Sequence, residues 1–306
     1  MTHTAWHPRE GRGIIPLRPL SVAEIVDAPF AAIRRYPGPM VGVGAVVAAV
    51  LGGSTLLWRL WAHDWTLNRF GVDTTASIGL GLLLAGGVIV LAAAGWQTAL
   101  MADAILGRDS SPADIWARVR PRVPTVVLAA LVAAVPAAVF LGLLALTGWI
   151  GGLAAVFAAI AAGPAIWLSV FGLFLPSIVV LEGANVRTAV RRALALFRGS
   201  WWRCLWLLVL TSFIASVISS VVLLPFEPGV VEFLSGGLVT GSSTIVRNVL
   251  PAVGGTVSAA LALPFVAGVI AVLYVDVRIR REAFDLTLTG ALPAAPSAAT
   301  GAWGRR

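Results

Sequence analysis

The sequence predicts an all-α integral membrane protein with six transmembrane helices and three cytoplasmic amphipathic interfacial helices. Three observations carry this prediction. Five charge-free runs, residues 36–58, 74–102, 123–181, 204–226 and 248–275, divide the chain. Hydrophobic residues make up 58% of it and charged residues only 12%, about half the charge of a soluble domain of this length. All 22 basic residues are arginine, and nineteen of them fall in four patches outside the runs, at 9–35, 108–122, 187–203 and 278–306.

A bilayer core about 30 Å thick takes roughly 20 apolar residues as a helix. Runs of 23, 29, 23 and 28 residues each suit one span, and the 59-residue run suits two. The turn within that longest run is expected at Thr147-Gly148-Trp149-Ile150-Gly151-Gly152, where glycines cluster. The predicted spans are therefore 39–61, 77–103, 124–146, 153–181, 204–225 and 251–275. These segments are apolar all round, whereas a soluble helix bundle would show a stripe on each helix. Six spans place both termini and the loops 104–123 and 182–203 on one side, with nineteen arginines against the three (Arg59, Arg69 and Arg247) left for the other. Positively charged loops stay in the cytoplasm, so that side is predicted to be cytoplasmic and the membrane the inner one. The first apolar run begins near Pro37, behind an arginine-containing polar segment, and reads as a retained span, not a cleaved signal. The net charge of +8 flanks spans instead of covering a domain face, so nucleic acid is not an expected partner.

The elements follow in order. A tail, 1–20, leads into a membrane domain, 21–286, and a second tail, 287–306, is too poor in apolar residues to fold. Ser21-Val22-Ala23-Glu24 is a capping box, followed by Val22, Ile25, Val26, Pro29, Phe30 and Ile33 at helical spacing. Arg34 and Arg35 lie off that stripe, and Pro37 and Pro39 end the helix. The device recurs at Ser111, with Pro112, Asp114, Ile115, Trp116 and Val119, and at Asn185, with Ala189, Val190, Ala193, Leu194 and Phe197. Arg187, Arg191 and Arg192 stand beside the last stripe. Each such helix suits the interface, its arginines near anionic lipid headgroups. The chain thus reads as three units of interfacial helix, span out and span back, a possible three-fold helical-hairpin repeat. In the long outer segment 226–250, residues 233–246 are expected to form an interfacial or re-entrant helix.

Chemistry is sparse. The histidines, His3, His7 and His63, have no partner at metal-ligand spacing, and the chain has no lysine for a phosphate loop. No carboxylates pair within a span, so no catalytic residue, cofactor or metal is expected and the chain reads as a non-enzyme. The intramembrane polar candidates are Gln97 with Thr98 in the second span, and Thr211, Ser212, Ser216, Ser219 and Ser220 in the fifth. Their plain role is packing, with hydroxyls bonding back to their own helix. An enclosed polar cavity at Gln97 or along Ser212–Ser220, opened by kinks at Pro136, Gly163-Pro164 or Pro264, would instead point to a transporter or lipid-handling protein. Asp103, Glu182 and Asp276 close the inner ends of the three returning spans. They are candidates to pair with arginines of the interfacial helices and lock the cytoplasmic face. That face makes membrane lipids, or else a membrane protein, the expected partners, and a scaffold or lipid-binding module the expected role.

Three segments carry a resemblance: IPLRPLSVAEIVDAPFAAIRRYP at 15–37, AVRRALALFRGSWWRCL at 189–205 and LPFVAGVIAVLYVDVRIRREAFDL at 263–286. In order, they resemble the start, the fourth-loop helix with its span, and the last span of the membrane domain found beside bacterial glycerophosphodiester phosphodiesterases. In those fused proteins the chemistry belongs to a separate soluble barrel. The chain has no room for that barrel, so none of its site residues carries over to a position here. The resemblance implies a standalone integral membrane protein of the same family.

Overall fold

The computed structural model describes residues 18–62, 72–105, 111–150, 152–237 and 248–282. The predicted tails (apart from Arg18 to Leu20), all three histidines and residues 238–246 of the expected outer helix lie outside the described residues. Within them the chain is all-α. In order come α1 (Val22–Arg35), α2 (Pro37–Leu57) with a π turn at Trp58–Ala62, α3 (Val72–Ile105), α4 (Pro112–Val119), a 3₁₀ turn at Arg120–Arg122 and α5 (Val123–Ile150). There follow α6 (Gly152–Gly172), α7 (Leu175–Glu182), α8 (Val186–Phe197), α9 (Trp201–Leu223), a 3₁₀ turn at Leu224–Phe226, α10 (Pro228–Leu234) and α11 (Leu250–Glu282). Six helical stretches are long and apolar enough to cross a membrane: Pro37–Leu60, Gly79–Ile105, Pro112–Leu144, Val156–Glu182, Trp201–Phe226 and Leu250–Glu282. The chain is a multi-pass membrane protein.

The short helices start where the side chains can cap them. At α1, Ser21 Oγ accepts from the Glu24 amide at 3.3 Å, and Glu24 Oε2 accepts from the Ser21 amide at 2.8 Å. Ser111 and Asp114 repeat the exchange at α4, at 3.2 and 3.1 Å. Asn185 Oδ1 accepts from the Thr188 amide at 3.0 Å to open α8. Each satisfies amides that a helix start leaves without partners. One face of each helix is buried: Ile25, Ala28, Pro29 and Ala32 in α1, Ile115 and Val119 in α4, and Ala189, Ala193, Leu196 and Phe197 in α8. In α1 this face is turned from the expected stripe, because Val22 is exposed while the small Ala28 and Ala32 let the helix sit close.

Helix α11 is the centre of the bundle. It packs against α1, α2, α3, α8 and α9, and 61% of its apolar window is buried, against 17% in α3 and α9. Its contact with α2 is made by small residues one helical turn apart. A Cβ at Gly44 would meet Pro264 Cδ at 2.9 Å and the Ala260 carbonyl at 3.0 Å, and one at Gly52 would meet Thr256 Oγ1 at 2.0 Å. With Ala48 between them, the two glycines let the backbones approach, the usual route to association where lipid removes the hydrophobic drive. Gly268 makes the same approach to Pro29 of α1 and Met101 of α3. The order short helix, span, span occurs three times; α5 pairs chiefly with α6 and α9 with α11, whereas α2 packs chiefly on α11 and less on α3.

Three expectations change. Helix α5 continues through the expected turn as far as Ile150, and α6 starts at Gly152. The fourth span, expected as one helix over 153–181, breaks at Leu173-Phe174, because Pro176 has no amide hydrogen to offer the Gly172 carbonyl four residues earlier; Pro164 lies inside α6. A short helix lies ahead of the expected outer one, at Pro228–Leu234, stopped by Gly236 and Gly237 at φ 61° and 81°, where the Gly237 amide closes on the Glu232 carbonyl at 3.0 Å; 238–246 lie outside the described residues. Helix α11 runs to Glu282 instead of 275. Its 33 residues reach about 50 Å, so it projects beyond a bilayer core, where its charged end finds partners.

Replacing Gly44 by Leu is expected to destabilise the protein by about 1–3 kcal/mol, since the side chain must force α2 from α11. The same change at the exposed Gly53, which has nothing within 4 Å of a Cβ, leaves the unfolding midpoint in detergent unchanged. The Ser21 amide, above all, holds the Glu24 carboxyl below the usual glutamate range, with the Ser21 hydroxyl and Arg18 assisting. Its capping contribution is therefore complete above the usual glutamate range and lost as pH falls through the depressed folded value. Amide exchange in the first turn of α1 should accelerate over that window, and E24Q should remove the pH dependence.

Candidate functional site

The three acids that close the returning spans meet arginines, and they do so at one end of the bundle. Asp276 is fully buried. Its Oδ1 accepts from the Leu20 amide at 2.8 Å, Arg203 Nη2 reaches Oδ2 at 3.2 Å, and Arg280 Nε reaches both oxygens at 3.0 Å. The same two arginines then donate to the Leu20 carbonyl, at 2.9 and 2.8 Å. One carboxylate therefore fastens the backbone before α1, the start of α9 and the end of α11. Neither Arg34 nor Arg35 takes part: both are exposed at the far end of α1, and Arg35 Nε donates to the Tyr36 hydroxyl at 3.1 Å.

Glu182, at the end of α7, gathers a second cluster. Arg192 of α8 and the Tyr274 hydroxyl both make close contact with it, and Arg278 Nη1 lies 3.7 Å away. Glu282 bridges Arg192 at 2.9 Å and Arg278 at 3.1 Å. The hydrogen bond to Glu182 holds the Arg192 guanidinium above even its ordinary high value. Gly183 follows with φ 66°, and Arg122 packs over it while donating to the Val180 carbonyl. Asp103 makes the third pair, a two-oxygen contact with Arg118 of α4 at 2.9 and 3.0 Å. The two amphipathic-stripe neighbours Arg187 and Arg191 stay exposed. Arg118, Arg203, Arg278, Arg280 and Tyr274 were not legible as partners, apart from Arg280, which stands four residues beyond Asp276 on the same helix.

The intramembrane candidates separate. Thr211 Oγ1 donates to the Leu207 carbonyl at 2.6 Å, Ser216 to Phe213 at 2.7 Å and Ser220 to Ser216 at 2.8 Å. Ser212 and Ser216 are exposed on the bundle surface, and the Ser219 carbonyl accepts from Ser258 at 3.5 Å. These groups converge on no common point. Thr98 and Ser177 share a 3.0 Å hydrogen bond between α3 and α7. Gln97 is 2% exposed. Its Nε2 donates to the Met40 carbonyl of α2 at 3.4 Å, and its Oε1 is buried without a partner, as is Nε1 of the neighbouring Trp96. Gln97 lines a cavity of about 90 Å³ whose other walls are apolar. Among the described residues, no group of three or more His, Cys, Asp or Glu is placed to hold a metal ion.

Removing one partner from a buried ion pair costs about 3–5 kcal/mol. D276N is expected at the lower end of that range, since Arg203 and Arg280 are about one-third exposed. It should also speed exchange of the Leu20 amide, which the carboxylate accepts from. D103N should change stability far less, because the partner it frees, Arg118, is 44% exposed and returns to water, whereas Asp103 itself is buried. No family model, no curated protein and no solved structure matches this chain, so the likeness of 15–37, 189–205 and 263–286 to the phosphodiesterase-associated membrane domain finds no support there.

Proposed function

We propose that this protein is a non-catalytic membrane module that presents a rigid arginine-rich face to anionic lipid headgroups, serving as a scaffold for lipid or a membrane partner. The observation that carries this reading is the division of labour among the arginines. Arg118, Arg192, Arg203, Arg278 and Arg280 neutralise Asp103, Glu182, Glu282 and Asp276 within the bundle. Arg34, Arg187, Arg191 and Arg198 are exposed at the same end and pair with no acid among the described residues. The inner charges hold the short helices in place, and the outer ones stay available for phosphate. By the positive-inside rule this face is cytoplasmic, both termini included, and the membrane is the inner one. The family that the three segments resemble, in which chemistry belongs to a separate barrel, fits the same reading. Against a transport role, the hydroxyls of α9 bond their own helix, and the Gln97 cavity has room for only about three waters.

The test is lipid retention. Native mass spectrometry from bilayers of mixed composition should show anionic lipid enriched on the wild-type protein. R34Q/R187Q/R191Q should lose that enrichment while keeping its unfolding midpoint, at about 1 kcal/mol per arginine near the surface. Equal retention of anionic and zwitterionic lipid by the wild type would reject the reading. Single cysteines placed in 186–198 should react with impermeant thiol reagents only from the cytoplasmic side; labelling from outside would reject the orientation.

A further inference from the structure

Leu173 stands in the two-residue break between α6 and α7 and lines two spaces at once. On one side is the Gln97 cavity, walled by Gly44, Leu91, Val266 and Ile270. On the other is a crevice of about 360 Å³ between α6 and α9, open at the bundle surface and lined by Phe140, Ser169, Leu205 and Val209. Helices α6 and α9 touch only sparsely, which is why the crevice exists. Non-helical backbone at membrane depth is tolerated where it is buried or lines a cavity, and broken membrane helices are a recurrent setting for binding sites. Buried polar groups are normally hydrogen-bonded, so Gln97 Oε1 needs an explanation. The Met40 carbonyl can only accept, which fixes Nε2 toward α2 and leaves the oxygen without a donor.

We infer that this cavity binds the hydrogen-bond-donating end of a neutral single-chain amphiphile, which enters from the bilayer through the α6–α9 crevice past Leu173. The chemistry of the walls selects the class. No charged side chain lines either space, so an ionised headgroup would lose its hydration with nothing to replace it. The apolar crevice suits a hydrocarbon chain, and the single unpartnered acceptor suits a hydroxyl. Leu173, half-buried and outside both helices, is the side chain that would have to turn aside. This inference is independent of the headgroup reading, since it uses none of the exposed arginines.

The experiment uses the full chain in bilayer nanodiscs with a hexadecanol carrying a mid-chain diazirine, crosslinked by light and mapped by mass spectrometry. Saturable adducts are expected on Leu173 and on the facing residues of α6 and α9, displaced by unlabelled hexadecanol but not by hexadecane. Q97L removes the acceptor while keeping the volume, and should weaken apparent affinity roughly tenfold, the worth of about one hydrogen bond. Its unfolding midpoint should hold or rise, because an unsatisfied buried amide is gone, so loss of labelling would not reflect loss of fold. L173W should block the passage and abolish the saturable adducts. Equal labelling of Q97L and wild type, equal competition by hexadecane, or adducts spread over all lipid-facing spans would each overturn the inference.

Discussion

The fold depends on one buried carboxylate. Asp276 has no exposed surface, yet it receives a backbone amide from Leu20 and two guanidinium groups. A charge removed from water is tolerated only when its lone pairs are filled in good geometry. Here they are filled by Arg280 one turn along the same helix and by two elements distant in sequence, so the requirement becomes a constraint on all of them. The segment before α1 must return to α11, and α9 must begin beside both. The two arginines also satisfy the Leu20 carbonyl, which leaves that short stretch of chain hydrogen-bonded on both sides.

The spans are held differently. Inside a bilayer, apolar surface has no water to escape, so close packing and internal hydrogen bonds decide which helices associate. Helices α2 and α11 solve this with Gly44, Ala48 and Gly52 set against Thr256, Ala260 and Pro264. The contacts Gln97 to Met40 and Thr98 to Ser177 add polar links from α3 to α2 and α7. Helix α9 reaches α6 through the Trp201 Nε1 bond to the Trp167 carbonyl at 3.4 Å, and a crevice remains between them farther along. The rigid, charge-locked end and the loosely closed middle therefore follow from the same arrangement.

The break at Leu173-Phe174 joins these two regions. Below it, α7 carries Glu182 into the charged cluster, and Phe174 stacks on Phe197 of α8 at 4.0 Å. Above it, α6 packs along α5, with Gly172 against Ala133. Pro176 removes the amide that would have continued the ladder, and the helix is interrupted for two residues. The same discontinuity leaves Leu173 between the Gln97 cavity and the bilayer.

Much of this protein was legible in its residues. Span number and approximate limits follow from charge-free runs, because a bilayer admits only long apolar helices. The three caps at Ser21, Ser111 and Asn185 are local hydrogen bonds and need no tertiary information. Asp103, Glu182 and Asp276 stood out as acids at span ends, and Gln97 as a packing amide. What could not be read was which arginine each acid meets, since Arg203 and Asp276 lie 73 residues apart and many arginines are equally near in sequence. Nor could composition tell that Pro176, and not Pro164, would break its helix, because a lost hydrogen bond is tolerated or not according to the neighbours. The sequence by itself determined a six-span helical membrane protein with a basic end, for membrane solvation and local capping act residue by residue. Only the tertiary structure decided the pairing of charges, the place of the break and the unpartnered oxygen of Gln97, because each depends on what distant helices bring within hydrogen-bond distance.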